Sequence, residues 1–351
     1  MSLRPSALAG LLLLLSLALA ALGVCVGSAG FENLLGPLLR PLQDPEQTAL
    51  ARQIVGEIRL PRTLGAWAAG ALLGLAGAVA QGLFRNPLAD PYLLGIASGA
   101  SLGVALALAL AALGASMMNG GAAVSVFSGG LLVRLGLTGA AFAGAVLAVL
   151  LTLALSRGVQ HTLRLLLAGV VVGVVLGALT QLVLLLSPDS LQAMQAFMLG
   201  STSFVGWTSL ALMLSVWWVC VLAAWLMGRV LDGLSLGEAT AHSLGLPVAP
   251  LRLALVAVLA LATGTAVAQT GLIAFVGLAA PHLVRSVVKS THGSLMWLAS
   301  LMGGTLLMGA DILARGLIAP QELPVGVLTA VLGGGYLLWL MHRNSSRGGS
   351  L

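Results

Sequence analysis

The chain has 351 residues, of which 59% are hydrophobic and only 7% charged, with a formal net charge of +6 and a mean hydropathy of +1.07. A soluble domain carries about 25% charged residues to wet its surface, so this composition excludes a soluble globule and leaves lipid as the main solvent. The basic residues are scattered one or two per connection without a cluster, which argues against nucleic acid and fits positively charged cytoplasmic loops.

A bilayer core takes about 20 apolar residues per helical span. A membrane barrel would need strands of alternating polarity. The apolar runs here are long, continuous and rich in Leu, Ala, Val and Gly, which predicts an all-α polytopic membrane protein. The first run, from Leu8 to Val26, has the position of a signal peptide but the length of a span. Leu22-Gly-Val-Cys25 has the outline of a lipoprotein cleavage box, with Val24 where a small residue belongs. Spans are predicted at 7–27, 62–82, 93–113, 136–156, 163–186, 208–228, 251–270, 275–289, 294–313 and 325–342. The eighth is short, and Gly277 and Pro281 interrupt it, which predicts a half-helix or re-entrant turn. Irregular backbone survives at membrane depth only inside protein or against a cavity. The tail 344–351 reads as a flexible end, and 1–351 as a single domain.

About ten spans place both termini on one side. With that side cytoplasmic, ten Lys/Arg fall inside and six outside, a modest positive-inside bias. The outer six include Arg59, Arg62 and Arg315. Cys25 and Cys220 sit in apolar runs without metal spacing or a disulfide framework. His282, His161 and Met117-Met118 lack the companions that a metal site needs, so no metal site is expected.

Three polar stretches are too specific for plain connections. They are Ile58-Arg-Leu-Pro-Arg62 with Gln81-Gly-Leu-Phe-Arg-Asn-Pro-Leu-Ala-Asp-Pro91, then the loop Gly228 to Pro250, then Gly271 to His282 with Asp311-Ile-Leu-Ala-Arg315 and Glu322-Leu-Pro-Val-Gly326. With LLLAG at 165–169 they lie in an order and at spacings that resemble the FecCD-type permeases of ABC importers for ferric siderophores, haem and cobalamin, from about residue 55 to 342. The last helix departs from that pattern with Gly333-Gly-Gly-Tyr336.

The resemblance implies a bacterial inner-membrane permease that does no covalent chemistry and binds no cofactor. ATP and Mg would act on two cytoplasmic ATPase subunits. A periplasmic substrate-binding protein would deliver the chelate, and a second copy of the chain would complete the pore as a homodimer. It implies docking of the binding protein at Arg59, Arg62 and Arg315; without it, these arginines read as snorkelling to headgroups. It implies a coupling helix for the ATPase around Leu236, Gly237, Glu238, Ala239, Ala241, His242, Leu244 and Gly245; otherwise that loop reads as an interfacial helix. It implies an inner gate at Asn86, Leu88 and Thr162, which otherwise are ordinary turn residues.

The rival reading is an ion-coupled secondary transporter, which tends to keep carboxylates within its spans. No predicted span has an acid at its middle, and Asp311 lies near an end. An intramembrane enzyme would need a nucleophile with its base or a metal triad within the spans, and no HExxH occurs.

Overall fold

The structure is a computed structural model and describes residues 3–28, 30–39, 45–117, 131–156, 159, 162–243 and 245–348. Helix α1 (Pro5–Cys25) leads into a small antiparallel hairpin, β1 (Val26–Gly27) with β2 (Gly30–Phe31), and then short helices α2 (Leu35–Leu39) and α3 (Pro45–Gln53). One turn of π-helix (Ile54–Arg59) runs without a break into α4 (Leu60–Phe84). A 3₁₀ turn (Pro91–Leu94) precedes α5 (Ile96–Met117), followed by α6 (Leu131–Leu155) and α7 (Thr162–Leu186). Then come α8 (Leu191–Leu199), α9 (Trp207–Leu226), α10 (Gly228–Ser235), α11 (Glu238–Ser243) and α12 (Val248–Thr270). The chain closes with α13 (Val276–Val287), α14 (His292–Gly316) and α15 (Val325–Gly348).

Among the described residues, eight helices are long and apolar enough to cross a membrane. The other two predicted spans fall on α13, with 12 residues, and on α15, apolar over Val325–Trp339. The all-α polytopic architecture expected from the sequence is therefore present, including the short eighth element and a short helix in the 228–250 loop.

Helix α4 is the hub. Its most extensive contact is with α14, and α12, α13 and α9 also lie against it. Small residues make this possible, because without a hydrophobic drive between helices in lipid, close van der Waals packing must hold them. A side chain on Gly70 or Gly74 would collide with the backbone of Gly303 and Ala299 on α14, and one on Gly77 with the Gly277 carbonyl of α13. A second group forms where α5 packs against α6 and α7, with α12 joining it to the hub.

The broken segment sits between α12 and α13. Gly271 (φ 70°) and Phe275 (φ 69°) turn the backbone out of the helical path. In lipid each freed polar group must find a partner, and neighbours supply them. Leu272 N–H donates to Phe197 O at 3.1 Å, Ser201 N–H to Thr270 O at 2.8 Å and the Tyr92 hydroxyl to Ile273 O at 2.9 Å. Pro281 removes the donor that would reach the Gly277 carbonyl; separately, the Gln81 side-chain amide donates to the Leu278 carbonyl at 3.2 Å.

Candidate functional site

Two ends of the bundle carry polar structure. At one end meet the last turn of α1, the start of α4, the end of α14 and the 200–205 and 317–324 segments. At the other lie the start of α1, the end of α4, the 85–95 turn, α10 and α11, and the start of α14.

The first end holds an ionic network. Arg62 forks onto Glu322, with Nη1 to Oε1 and Nη2 to Oε2 both at 2.9 Å. It also donates to Asp311 Oδ1 from Nε at 3.4 Å and Nη2 at 3.3 Å. Arg315, one turn after Asp311 on α14, donates to the other oxygen of the same carboxylate. The Thr202 hydroxyl donates to Asp311, and the Ser203 hydroxyl to Glu322 Oε2 at 3.1 Å. Asp311 itself is fully buried.

The arginines also finish α1. The last carbonyls of a helix lack intrahelical donors, and cations are favoured there. Arg315 Nη1 donates to Gly23 O and Val26 O, each at 3.1 Å, and Arg59 Nη1 to Val24 O at 3.1 Å. Arg315 Nη2 reaches the Thr63 hydroxyl at 3.1 Å, and Arg59 pairs with Glu32. Three guanidinium groups thus face three carboxylates, and the network is neutral as a whole.

The three arginines are enclosed by these partners. Arg59, Arg62 and Arg315 are not free rim charges: they are 7%, 9% and 1% exposed. The physical reason is that a buried guanidinium requires a full set of acceptors, and α1, Asp311 and the two glutamates provide it. The groups exposed beside them are acids, since the side chain of Glu32 is 44% exposed and that of Glu322 26%. Burial alone would raise the Glu322 pKa. The hydrogen bonds and charge of Arg62, with Ser203 and Arg315, outweigh it and hold this carboxyl below the usual glutamate range.

Beside the network lies a cavity of about 320 Å³, with Ser201, Ser203, Gln269, Thr270 and Glu322 in its walls among apolar residues. Its walls are mildly polar and carry few groups that would grip a ligand.

At the other end, the 85–95 turn is built by its own side chains. Asn86 Oδ1 accepts from Leu88 N–H at 2.9 Å, and Asp90 Oδ1 from Tyr92 N–H at 2.8 Å. Both are local side-chain caps of the kind Asn and Asp favour. Burial pushes the Asp90 carboxyl above its ordinary range, against the lowering effect of that N–H. Asn86 and Leu88 are exposed, and Thr162 opens α7; its side chain lies outside the described residues.

The 228–250 loop contains two short helices rather than one. Gly237 (φ 113°) separates α10 from α11 and Gly245 (φ 75°) follows α11, both in the left-handed region that favours glycine. Ala241 is buried and Leu236 is 68% exposed. Leu244 lies outside the described residues, as do Arg40, Asp44, Met118, Arg157 and His161, and the side chains of Glu238, Ala239 and His242. Asp232 of α10 accepts from both the backbone N–H and Nδ1 of His292 at the start of α14, at 3.0 and 2.7 Å. Arg285 donates to Gln81, and the buried Arg252 reaches Val159 O at 2.8 Å. His282 lies edge-on to Tyr336, with ring centroids 5.8 Å apart.

Sequence reasoning found the arginines but missed Asp311, Glu322, Thr202, Ser203 and Glu32 as their partners. One signal was present: Asp311 and Arg315 stand four residues apart on an apolar helix, and charges inside membrane helices pair. The Asp232–His292 contact spans 60 residues of sequence and left no local trace.

These features define a polytopic helical membrane protein with a neutral, cross-linked network at one end and a folded loop at the other. The chain belongs to the FecCD transport family, which it matches over residues 10–343. It is 38% identical over 306 residues to the vitamin B12 import system permease protein BtuC of Klebsiella pneumoniae, covering 86% of each chain. It is 37% identical over 349 residues to the hemin transport system permease protein HmuU of Yersinia pestis, covering 97% of this chain and 96% of the relative. A solved structure described as an inward-facing conformation of a metal-chelate type ABC transporter superposes with a TM-score of 0.81 at 29% identity, over 97% of this chain and 100% of that one. The chain is thus a membrane transport permease.

Proposed function

We propose that this chain is the membrane-spanning subunit of an ATP-driven importer for a bulky chelate of the cobalamin, haem or ferric-siderophore class. The observation that carries the reading is its near full-length similarity to permeases named for vitamin B12 import and hemin transport. The weakly polar cavity beside the ionic network suits a bulky cargo that must not be held tightly. Asp311, the acid an ion-coupled carrier would need, is already occupied by Arg62, Arg315 and Thr202.

In this reading two copies of the chain form the pore in the inner membrane, with both termini and the 228–250 loop cytoplasmic. Two ATPase subunits hold ATP and Mg and grip the loop at Leu236, Gly237, Glu238, Ala239, His242, Leu244 and Gly245. Their stroke reaches α14 through Asp232 and His292. Asn86, Leu88 and Thr162 close the inner gate between strokes. The chain itself binds no cofactor.

A binding protein docks at the network end, where its carboxylates exchange with Glu32 on Arg59 and with Glu322 on Arg62. Arg315 holds the site from below, since it is buried beneath α1. Weakening the internal competitors then strengthens docking. Glu32→Gln with Glu322→Gln should tighten the binding protein severalfold, and unchanged or weaker affinity would count against the exchange.

The importer reading is tested by ATPase activity in nanodiscs with the co-purifying subunits. Candidate binding proteins loaded with cobalamin, haem or ferric siderophore are added in turn. Stimulation by one of them identifies the cargo class. Solute movement by the chain alone, driven by an ion gradient and without ATPase subunits, overturns the reading.

A further inference from the structure

Away from the network, a cleft of about 690 Å³ opens between α1, α9 and α14. Ser6 and Ala9 of α1, Trp218 and Trp225 of α9, and Ser294 and Trp297 of α14 line it. The volume lies within the range of roughly 300–1,000 Å³ typical of small-molecule sites. The lining is apolar apart from the two serine hydroxyls, and both sit toward the helix ends that share the loop side of the bundle. Trp218 and Trp225 are each 59% exposed, and the Trp218 ring packs against those of Trp217 and Trp297.

Three basic residues surround this mouth. Arg4 caps α1 directly before the lining residue Pro5. Leu3 N–H donates to Val287 O at 3.3 Å, which brings Arg4 beside the strand of chain that carries Lys289. Arg229 follows Gly228, and a Cβ on Gly228 would lie 2.7 Å from the Cα of the lining residue Gly293. All three side chains are exposed, and none has an ion-pair partner among the described residues. Asp232, on the same side of the bundle, is engaged by His292.

An apolar cleft that ends in unpaired positive charge matches a molecule with an apolar chain and an anionic head. We propose that the cleft binds one anionic phospholipid, its acyl chain against Trp218, Trp225 and Trp297 and its phosphate among Arg4, Arg229 and Lys289. Basic pockets between membrane helices recognise such headgroups. The site needs only a membrane-embedded chain. It holds whatever the cargo, and whichever side the loop faces.

The three groove tryptophans report on their own occupant. The full chain is placed in phosphatidylcholine vesicles that carry either brominated phosphatidylglycerol or an equal fraction of brominated phosphatidylcholine, whose bromine atoms quench nearby indoles. Tryptophans elsewhere are quenched alike by both lipids. The expected result is excess quenching by phosphatidylglycerol, with an apparent affinity about tenfold above phosphatidylcholine. Arg4→Gln with Arg229→Gln and Lys289→Gln should abolish the excess, and Ala9→Phe, which narrows the cleft without adding an indole, should reduce it with the charges intact. Circular dichroism checks that each variant remains helical. Equal quenching by the two lipids in the unmodified chain, or an excess that persists in the triple variant, overturns the proposal.

Discussion

Helices α4 and α7 are both long, both apolar and placed oppositely. The apolar window of α4 is 89% buried, while that of α7 is 28% buried, although α7 is the more hydrophobic of the two. In water the order would be reversed, because burial follows apolar area. In lipid it follows size and polarity. Gly and Ala let α4 come into backbone contact with α14 and α13, and its one ionic end is enclosed by Asp311 and Glu322. Leu and Val cover α7 on nearly every side, as on Leu163, which is 81% exposed. A helix in a membrane is therefore buried by what it lacks.

The comparison can be broken from its strongest point downward. Asp311→Ala removes the carboxylate shared by Arg62 and Arg315 and leaves two guanidiniums buried without it. Loss of one partner of a buried pair costs about 3–5 kcal/mol. The expected result is a large fall in the unfolding temperature of detergent-solubilised protein, and a fall of only a degree or two would show that the network does not hold α4.

Gly74→Leu should follow, since its side chain would meet the α14 backbone at Ala299. Overpacking of this kind costs about 1–3 kcal/mol or more when backbone must move. Recovery of monodisperse protein by size exclusion is the measure, and normal recovery would mean that α4 and α14 can separate freely.

Ser300→Ala removes a hydroxyl that accepts from Trp217 Nε1 at 2.6 Å and donates to Ala71 O at 3.0 Å. A loss of about 1–3 kcal/mol is expected from the unsatisfied buried groups, read as a shift in thermal unfolding with a change in tryptophan emission.

Acid should weaken the Arg62–Glu322 link in a defined direction. The folded carboxyl has the lower pKa, so its stabilisation is complete above the unfolded glutamate value of 4.5 and fades as pH falls through the depressed folded value. The unfolding temperatures of the unmodified chain and of Glu322→Gln should differ at pH 6 and converge once the pH falls below the depressed folded value. A gap that persists in acid would remove the charge explanation.

The smallest effect belongs to α7. Leu163→Ala should shift stability by less than about 0.5 kcal/mol, as for substitutions away from packed features. A large loss of folded protein there would mean that α7 is held by a contact that a single chain does not show.

How legible this was depends on the range of the interaction. The π-turn ends and α4 begins within the arginine-bearing segment Ile58–Arg62, which the sequence marks plainly as special. Its partners do not show, because Asp311 and Glu322 lie 249 and 260 residues away. The 85–95 turn was readable, since Asn86 and Asp90 act on amides two residues on. The loop helix was placed correctly, but its division at Gly237 was not seen, because one positive φ leaves no periodicity.

The sequence by itself determined the solvent, the helical class, the positions of the spans and the break after α12. Each follows from hydropathy run length or from Gly and Pro, which act within a few residues. Only the tertiary structure decided that α4 is central and α7 peripheral, that three arginines are closed by three acids, and that Asp232 meets His292. A helix apolar on all sides has no face that favours protein over lipid, so the choice falls to small-residue contacts and ion pairs that form only when distant segments meet.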